Sequence, residues 1–387
     1  MRYWLPLAFA AVAHAANPTA SITYLRSNDN PPLVMVTAMA MSGDGKTVVG
    51  QYMIWTAATG LRPTEFSPDQ GGYLNYHALN YDGSVRFGEV ASFGGANFRF
   101  WSGPWGLGRV DWQHPFSPST DVTLARRALS GDGQRLVGQM GTPVLMERLG
   151  VMQGLFSSGV GRVAAINFDG SIVAGATYAT GGPFGTVWLL TPVSGGFVAE
   201  TKNFPKAEFD SVSSDGAYAA GFFDWGGGSS AYRGIVWHID AEADFFLSPL
   251  GTSGVSYINF LSNGGEIAAG VAPRPGWPMA FVRRRGERAR DLRQVLQRFG
   301  ATGLDYYMLT NIAGLSDDGK TVCGYAQSPW FGNVAFVATI PEWPACPSDI
   351  NFDGAVDDAD FLIDLTQFPL THFDQPRRLA SNCSGLT

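Results

Sequence analysis

The sequence predicts an all-β chain: a seven-bladed β-propeller of four-stranded blades, with a small C-terminal helical calcium-loop segment. Three observations lead there. First, a hairpin motif recurs seven times, as AMSGDGKTVVG (40–50), ALNYDGSVRFG (78–88), ALSGDGQRLVG (128–138), AINFDGSIVAG (165–175), SVSSDGAYAAG (211–221), FLSNGGEIAAG (260–270) and GLSDDGKTVCG (314–324). Second, the steps between turn glycines (Gly45, Gly83, Gly133, Gly170, Gly216, Gly265, Gly319) are 38, 50, 37, 46, 49 and 54 residues, which matches the roughly 40–50 residues of a propeller blade. Third, an apolar or aromatic run follows each hairpin and usually ends in a glycine turn: MIWTAATG (53–60), FRFWSG (98–103), VLMERLG (144–150), TVWLLTPVSG (186–195), GIVWHID (234–240), MAFVRRRG (279–286) and VAFVATIP (334–341).

Within each hairpin an Asp-Gly or Asn-Gly pair sits between apolar runs. This is the signature of a two-residue type I′ turn, whose two central residues both take φ > 0. Asp44, Asp82, Asp132, Asp169, Asp215 and Asp318 are therefore expected to be turn residues, not catalytic or metal-binding ones. The second strand closes on glycine, which signals a close backbone approach. The aromatic run is the third strand, and short runs such as LRPTEF or GFVAE supply a fourth. The last repeat lacks a fourth strand. ASITYL (20–25) precedes the first repeat without a hairpin of its own, so it is expected to complete the last blade and join the two ends of the ring. The alternative is an open β-solenoid, which would leave edges needing caps.

One stretch breaks the β pattern. RARDLRQVLQRFGATGLD (288–305) carries Leu292, Val295, Leu296 and Phe299 at helical spacing, with Gly300 as terminator. Its basic residues read as a solvated face.

Composition agrees with a turn-rich β protein with a large core. The 387 residues include 49 Gly, 11 Trp and 26 Phe, and only 15% are charged. The net charge of -7, with lysine at positions 46, 202, 206 and 320, argues against a nucleic-acid partner, which needs a basic face. The first residues, MRYWLPLAFAAVAHAANP, have a short basic start, an apolar core over 5–12 and an A-x-A cleavage signal at 13–15. They read as a secretory signal peptide, 1–16. The apolar run is too short to span a bilayer, and no other stretch qualifies. The remaining division is 17–342 for the seven-repeat propeller and 343–387 for the C-terminal segment. In an oxidising compartment, Cys346 and Cys383, which flank that segment, form the expected disulfide. Cys323 reads as a small buried apolar residue.

The repeats resemble the extracellular HAF-type family, whose copies follow a small-x-aliphatic-Ser-x-Asp-Gly-x-x-Val-x-Gly pattern with an aromatic-rich strand after it. The resemblance covers roughly 38–341 and implies architecture; the family has no defined catalytic motif to carry over.

From Cys346 the composition changes. In CPSDINFDGAVDDADFLIDLTQF, Asp349, Asn351 and Asp353 stand at positions 1, 3 and 5 of an EF-hand-type loop. Gly354 allows the sharp turn at position 6, the Ala355 carbonyl falls at 7, Asp357 at 9 and Asp360 at 12. Ca²⁺ takes six to eight oxygens, and alternate residues of a tight loop can point them inward. The expected cofactor is Ca²⁺. The segment resembles a planctomycete-type dockerin module, but residues 371–387 hold no second loop, so a cohesin-type partner does not follow from the resemblance. The segment reads equally as a Ca²⁺- and disulfide-stabilised cap.

No nucleophile elbow, H-E-x-x-H, P-loop or dinucleotide fingerprint is present. His77, His114, His238 and His372 are scattered. Trp105, Trp225, Trp277 and Trp330 sit in Gly- and Pro-rich loops and are candidates for stacking on sugars or on a partner's side chains. The function expected is a secreted, non-catalytic binding or scaffold module, outside the cell or at its surface, for a protein or polysaccharide ligand. Two rivals remain. A polysaccharide-active enzyme would need a carboxylate pair about 5–10 Å apart in the channel or a loop cleft. A purely structural surface-layer protein would show no concave aromatic or acidic cluster.

Overall fold

The computed structural model describes residues 20–25, 38–64, 66–67, 72–91, 97–104, 106–109, 123–140, 142–148, 152–155, 160–179, 182–194, 196–224, 232–241, 243–245, 256–273, 277–287, 289–328 and 332–340. The stretch expected to be a signal peptide (1–16), Cys346, Cys383 and the expected calcium-loop residues 349–360 lie outside these residues, as do Trp105, Trp225 and Trp330.

The chain is all-β, built from antiparallel meanders that follow the repeats. Ala38–Met41, Thr47–Gly50, Met53–Thr56 and Gly60–Pro63 form one four-stranded sheet in chain order. Ala207–Val212, Tyr218–Asp224, Tyr232–His238 and Ala243–Phe245 form another, and Tyr257–Leu261, Ile267–Ala272, Met279–Arg284 and Ala289–Asp291 a third. Gly72–Leu79, Arg86–Ala91, Asn97–Gly103 and Gly106–Arg109 make a meander with the short strand Phe66–Ser67 added beside its first strand. An eight-stranded sheet joins the meander Thr123–Leu129, Arg135–Met140, Thr142–Glu147, Met152–Gly154 to the meander Val160–Ile166, Ile172–Ala179, Gly182–Val193, Gly196–Pro205. The two first strands are joined there by one parallel pair, Arg127 with Ala165.

The last sheet closes the chain on itself. Its strands are Met308–Leu315, Thr321–Ser328, Gly332–Thr339 and, outermost, Ser21–Leu25. The N-terminal strand pairs antiparallel with the last one, from Ser21 opposite Thr339 to Leu25 opposite Ala335, as the missing fourth strand of the last repeat required. The first strand of each meander packs against the first strand of the next, and Met308–Leu315 packs back on Ala38–Met41. A closed ring of radial meanders is the organisation of a β-propeller, which leaves only short edges exposed.

The hairpin turns are wider than a type I′ turn. Ser42 donates its N–H to Thr47 O at 2.9 Å and Gly45 donates to Ser42 O at 2.9 Å, so four residues, not two, separate the paired strands. Gly45 has φ 71°, while Asp44 stays out of the left-handed region. This is a Ser-x-Asp-Gly turn of type I form with a left-handed glycine after it. Side-chain hydrogen bonds explain the difference. The Asp44 carboxylate accepts from Lys46 N–H (3.0 Å) and from the Ser42 hydroxyl (2.7 Å), and the Ser42 hydroxyl oxygen accepts from Thr47 N–H (3.0 Å). Serine or asparagine caps every repeat in this way, at 42, 80, 130, 167, 213, 262 and 316, and each of these seven is buried. The aspartates are thus turn residues, through an Asx-type bond and not through positive φ.

These bonds also couple the turns to pH. Hydrogen bonds led by the Ser84 side chain hold the Asp82 carboxyl below its ordinary 3.8. Burial works against ionisation of Asp169, but the bonds from Ser171 and Asn167 and the Arg135 charge outweigh it and hold that group low too. Their stabilisation is complete above the ordinary value and is lost as pH falls through the lowered folded values. The urea midpoint is expected to fall as pH drops through and below the ordinary carboxylate range, and an Asp82→Asn/Asp169→Asn variant should show a shallower fall. An equal slope in the two proteins would contradict the assignment.

The aromatic third strands supply the core between neighbouring sheets. Trp188, Phe281 and Phe336 are fully buried, and Trp237 stacks on Phe209 with centroids 5.4 Å apart. Each such side chain contributes about 1.5–3 kcal/mol on burial. Cys323 is buried too, and burial pushes its thiol pKa up. The helix is shorter than its sequence pattern. It spans Leu292–Arg298, with Asp291 capping Arg293 N–H at 2.8 Å, while Ala289–Asp291 is claimed by the sheet as an outer strand. Leu292, Val295 and Leu296 face the core, and Phe299 O accepts from Ala20 N–H at 2.8 Å, which ties the helix to the closing strand.

Candidate functional site

Two columns of the repeat build the site. The residue three before the capping Ser or Asn is Met39, His77, Arg127, Ala164, Asp210, Asn259 or Ala313. In six repeats the strand register shifts across this residue, and in the third it falls inside a longer irregular stretch. A bulge re-aims a side chain and bends the strand. The residue five before the cap, among them Asn75, Arg162, Glu208, Tyr257 and Asn311, has its carbonyl pressed against the closing glycine of the next strand. A Cβ on Gly88, Gly175, Gly221, Gly270 or Gly324 would lie 2.1, 2.0, 1.9, 1.9 or 2.0 Å from that oxygen. The closing glycine is therefore the space that lets the bulged strand hold its side chains toward the axis of the ring.

At the turn end, the axis is shut. Asp317 N–H donates to Gly43 O (2.7 Å), Asp44 N–H to Tyr81 O (3.0 Å), Gly131 N–H to Phe168 O (2.7 Å), Phe168 N–H to Ser214 O (3.0 Å) and Asn263 N–H to Asp317 O (2.8 Å). Side chains complete the circle, Asn80 donating to Gly131 O and Asn263 accepting from Asp215 N–H. Arg127 crosses beneath this belt. It donates to Leu261 O (3.1 Å), Leu315 O (3.0 Å) and the Asp317 carboxylate (2.8 Å), which also takes the Ser214 hydroxyl. Tyr81 and Phe168 close edge to face at 5.3 Å. The space left is about 40 Å³, enough for a few waters at most.

At the other end the ring opens into a polar cavity of about 570 Å³, within the usual range of small-molecule sites. Arg162 is one of its lining residues. One guanidinium nitrogen donates to Asp210 at 2.8 Å and to Glu208 at 3.3 Å, both on the neighbouring inner strand. Burial opposes the Arg162 charge, but Asp210 and Glu208 outweigh it and hold its pKa above the ordinary value. The Tyr178 hydroxyl donates to Glu208 at 3.0 Å. Burial, followed by Tyr232 and the two carboxylates, raises the Tyr257 phenol. Asn259, only 4% exposed, lines the cavity and makes no side-chain hydrogen bond among the described residues. Phe222 and Tyr257 form an aromatic wall with ring centroids 5.0 Å apart.

Trp277 is the stacking candidate that falls among the described residues. It is 46% exposed, and Pro278 beside it lines the cavity. His77 sits at a bulge and His238 accepts from Asp240 N–H, so these two do not form a cluster. Among the described residues no three His, Cys, Asp or Glu side chains are grouped to hold a metal, and no helix is long and apolar enough to cross a membrane. Sequence reading missed Arg162, Glu208, Asp210, Tyr257 and Asn259. Aligning the repeats on the capping residue exposes them, because these two columns turn polar where their neighbours stay small or apolar.

No known protein-family profile matches the chain, and no curated protein sequence does. Among solved structures, it is similar to the β-propeller domain of Cps50 (Swd1) from Myceliophteria thermophila, at 10% identity and TM-score 0.48, covering 79% of this chain and 97% of that one. It is similar to oligogalacturonate lyase from Vibrio parahaemolyticus at 12% identity and TM-score 0.45, covering 84% and 98%. It is also similar to TolB from Acinetobacter baumannii at 12% identity and TM-score 0.40, covering 69% of this chain and 61%, less than two thirds, of that one. At these identities and scores none of the three lends its function to this chain.

Proposed function

We propose that this protein is a secreted, non-catalytic binding or scaffold module on a seven-bladed β-propeller, with its ligand site at the open end of the ring. The blade count treats the eight-stranded sheet as two blades, since a single parallel pair joins its halves. The observation that carries the functional reading is the place of Arg162. Its nitrogen lies 2.8 and 3.3 Å from the two carboxylates, so those oxygens are no more than about 6 Å apart and the guanidinium fills the gap. A glycosidase needs that gap for the scissile bond, at carboxylate separations of about 5–9.5 Å. A cavity occupied in this way can bind and orient a ligand but has no room to cleave it between the pair. Incubating the mature chain with neutral and acidic polysaccharides should release no new ends; release from any of them would overturn the non-catalytic reading.

A second reading, a polysaccharide-active enzyme, takes its support from the same pair, because Glu208 and Asp210 are a carboxylate pair in a concave site. It requires Arg162 to swing away. The Arg162→Met variant tells the two readings apart: an enzyme would change its turnover, whereas a binding module acquires none. A purely structural role is not favoured, since the cavity combines an acidic pair with an aromatic wall.

The C-terminal segment is proposed to hold one structural Ca²⁺ through Asp349, Asn351, Asp353, the Ala355 carbonyl, Asp357 and Asp360, a set of hard oxygen donors suited to that ion. Calorimetric titration should give one Ca²⁺ per mature chain and none for Asp353→Ala; unchanged stoichiometry in the variant would remove the site. A Cys346–Cys383 disulfide is proposed to clasp the same segment.

A further inference from the structure

The ligand class of the open cavity follows from its charge balance, its unused hydrogen-bonding groups and its closed floor. This rests on the reading of the cavity as a binding site. Among the described residues its charged side chains are Arg162, Glu208 and Asp210, one cation facing two anions. An anionic ligand would meet a surplus of negative charge, and like charges brought together in a partly desolvated site repel. A cation is also poorly served. Phe222 packs on Tyr232 at 4.9 Å and on Tyr257 at 5.0 Å, so these rings close on one another and do not open into a cage.

What the site does offer is planar, two-sided hydrogen bonding beside an aromatic wall. Asn259 lines the cavity, and its side-chain amide makes no hydrogen bond among the described residues. Gln327 and Asn333 add further amides at the rim. Carboxylates and amides present paired lone pairs and N–H groups in a plane, which suits adjacent hydroxyls on a ring, and an aromatic face suits the apolar side of the same ring. Below the cavity, Arg127 spans the axis to Leu261 O, Leu315 O and Asp317 and leaves about 40 Å³. A chain cannot thread through.

We infer that the cavity is a dead-ended site for the terminal unit of a neutral saccharide, seated between Arg162, Asn259 and the wall of Phe222 and Tyr257. Such a site reads chain ends and not chain middles.

The test is calorimetric titration of the full mature chain with linear neutral gluco-, manno-, galacto- and xylo-oligosaccharides. One series is expected to bind one to one. Asn259→Ala should weaken that binding at least about tenfold while keeping the thermal midpoint, because the amide's bonds are made only to ligand. Gln327→Ala, at the rim, should weaken it less and serves if Asn259→Ala fails to fold. With chains of increasing length supplied at equal sugar-unit concentration and far below saturation, occupancy should fall in inverse proportion to length, since each chain brings one end. Occupancy independent of length would overturn the terminal site, and tighter binding of uronate oligomers would overturn the neutral class. Binding insensitive to both substitutions would move the site elsewhere and overturn the inference while sparing the binding-module reading. No binding in any series would overturn the inference. Cleavage of the oligosaccharide would instead overturn the non-catalytic reading itself.

Discussion

Replacing Arg127 with methionine is expected to cost about 3–5 kcal/mol, the loss typical of breaking a buried ion pair from one side. The side chain of Arg127 is 17% exposed and that of Asp317 9%, so water does little to screen the pair. Removing the guanidinium strands the Asp317 carboxylate and takes donors from two backbone carbonyls that come from two other sheets. With an unfolding entropy near 2 cal/mol/K per residue, a ring of this size should lose roughly 5 °C or more in thermal midpoint. The partner arm is as informative. Arg127→Met with Asp317→Leu removes both charges, and part of the stability should return, because an apolar pair of similar volume carries no desolvation penalty. A single variant that melts with the wild type would show that the ring does not depend on this crossing.

The second large effect is expected at a glycine that touches no ligand. Gly221→Ala puts a Cβ about 1.9 Å from the carbonyl oxygen of Glu208, backbone against backbone, where no rotamer change can relieve the clash. Overpacking of this kind costs typically 1–3 kcal/mol and more where the backbone must move. Relief must come from the bulge at Phe209–Ser211, which carries Glu208 and Asp210. The variant should therefore lose stability and bind ligand at least about tenfold more weakly. Gly286→Ala, where a Cβ would meet nothing within 4 Å, is the control for a left-handed glycine away from the site. It should lose some stability through its φ of 78° and leave binding unchanged. Equal binding losses in the two variants would break the link between closing glycine and cavity.

Much of the architecture was legible in the residues. The Ser/Asn-x-Asp-Gly copies, with Ser-Asn-Gly-Gly at 262–265, marked the inner hairpins, the Trp- and Phe-bearing runs were third strands, and the missing fourth strand of the last repeat pointed to residues 20–25. The turn type was misread because the Asp-Gly dipeptide alone suggests a two-residue loop. The Ser42 hydroxyl, which caps Thr47 two residues past the glycine, sets the longer one. The helix was drawn too long because helical spacing does not register that Ala289–Asp291 has a strand to pair with. The cavity was the least legible part. Arg162, Glu208 and Asn259 look like unrelated polar residues in apolar strands until the repeats are superposed, and their convergence depends on a closed ring that brings four distant strands to one end. Pairing across that ring, as between Arg127 and Leu315, 188 residues apart in sequence, leaves no local signal.

The most direct test is a crystal structure of the chain grown with whichever neutral oligosaccharide the titrations select. The expected result is a sugar ring between Arg162, Asn259 and Tyr257, with its chain leaving through the open end and Arg127 intact beneath it. A ligand lying on the turn end, or on the outer strands with the cavity unfilled, would contradict the assignment of the site.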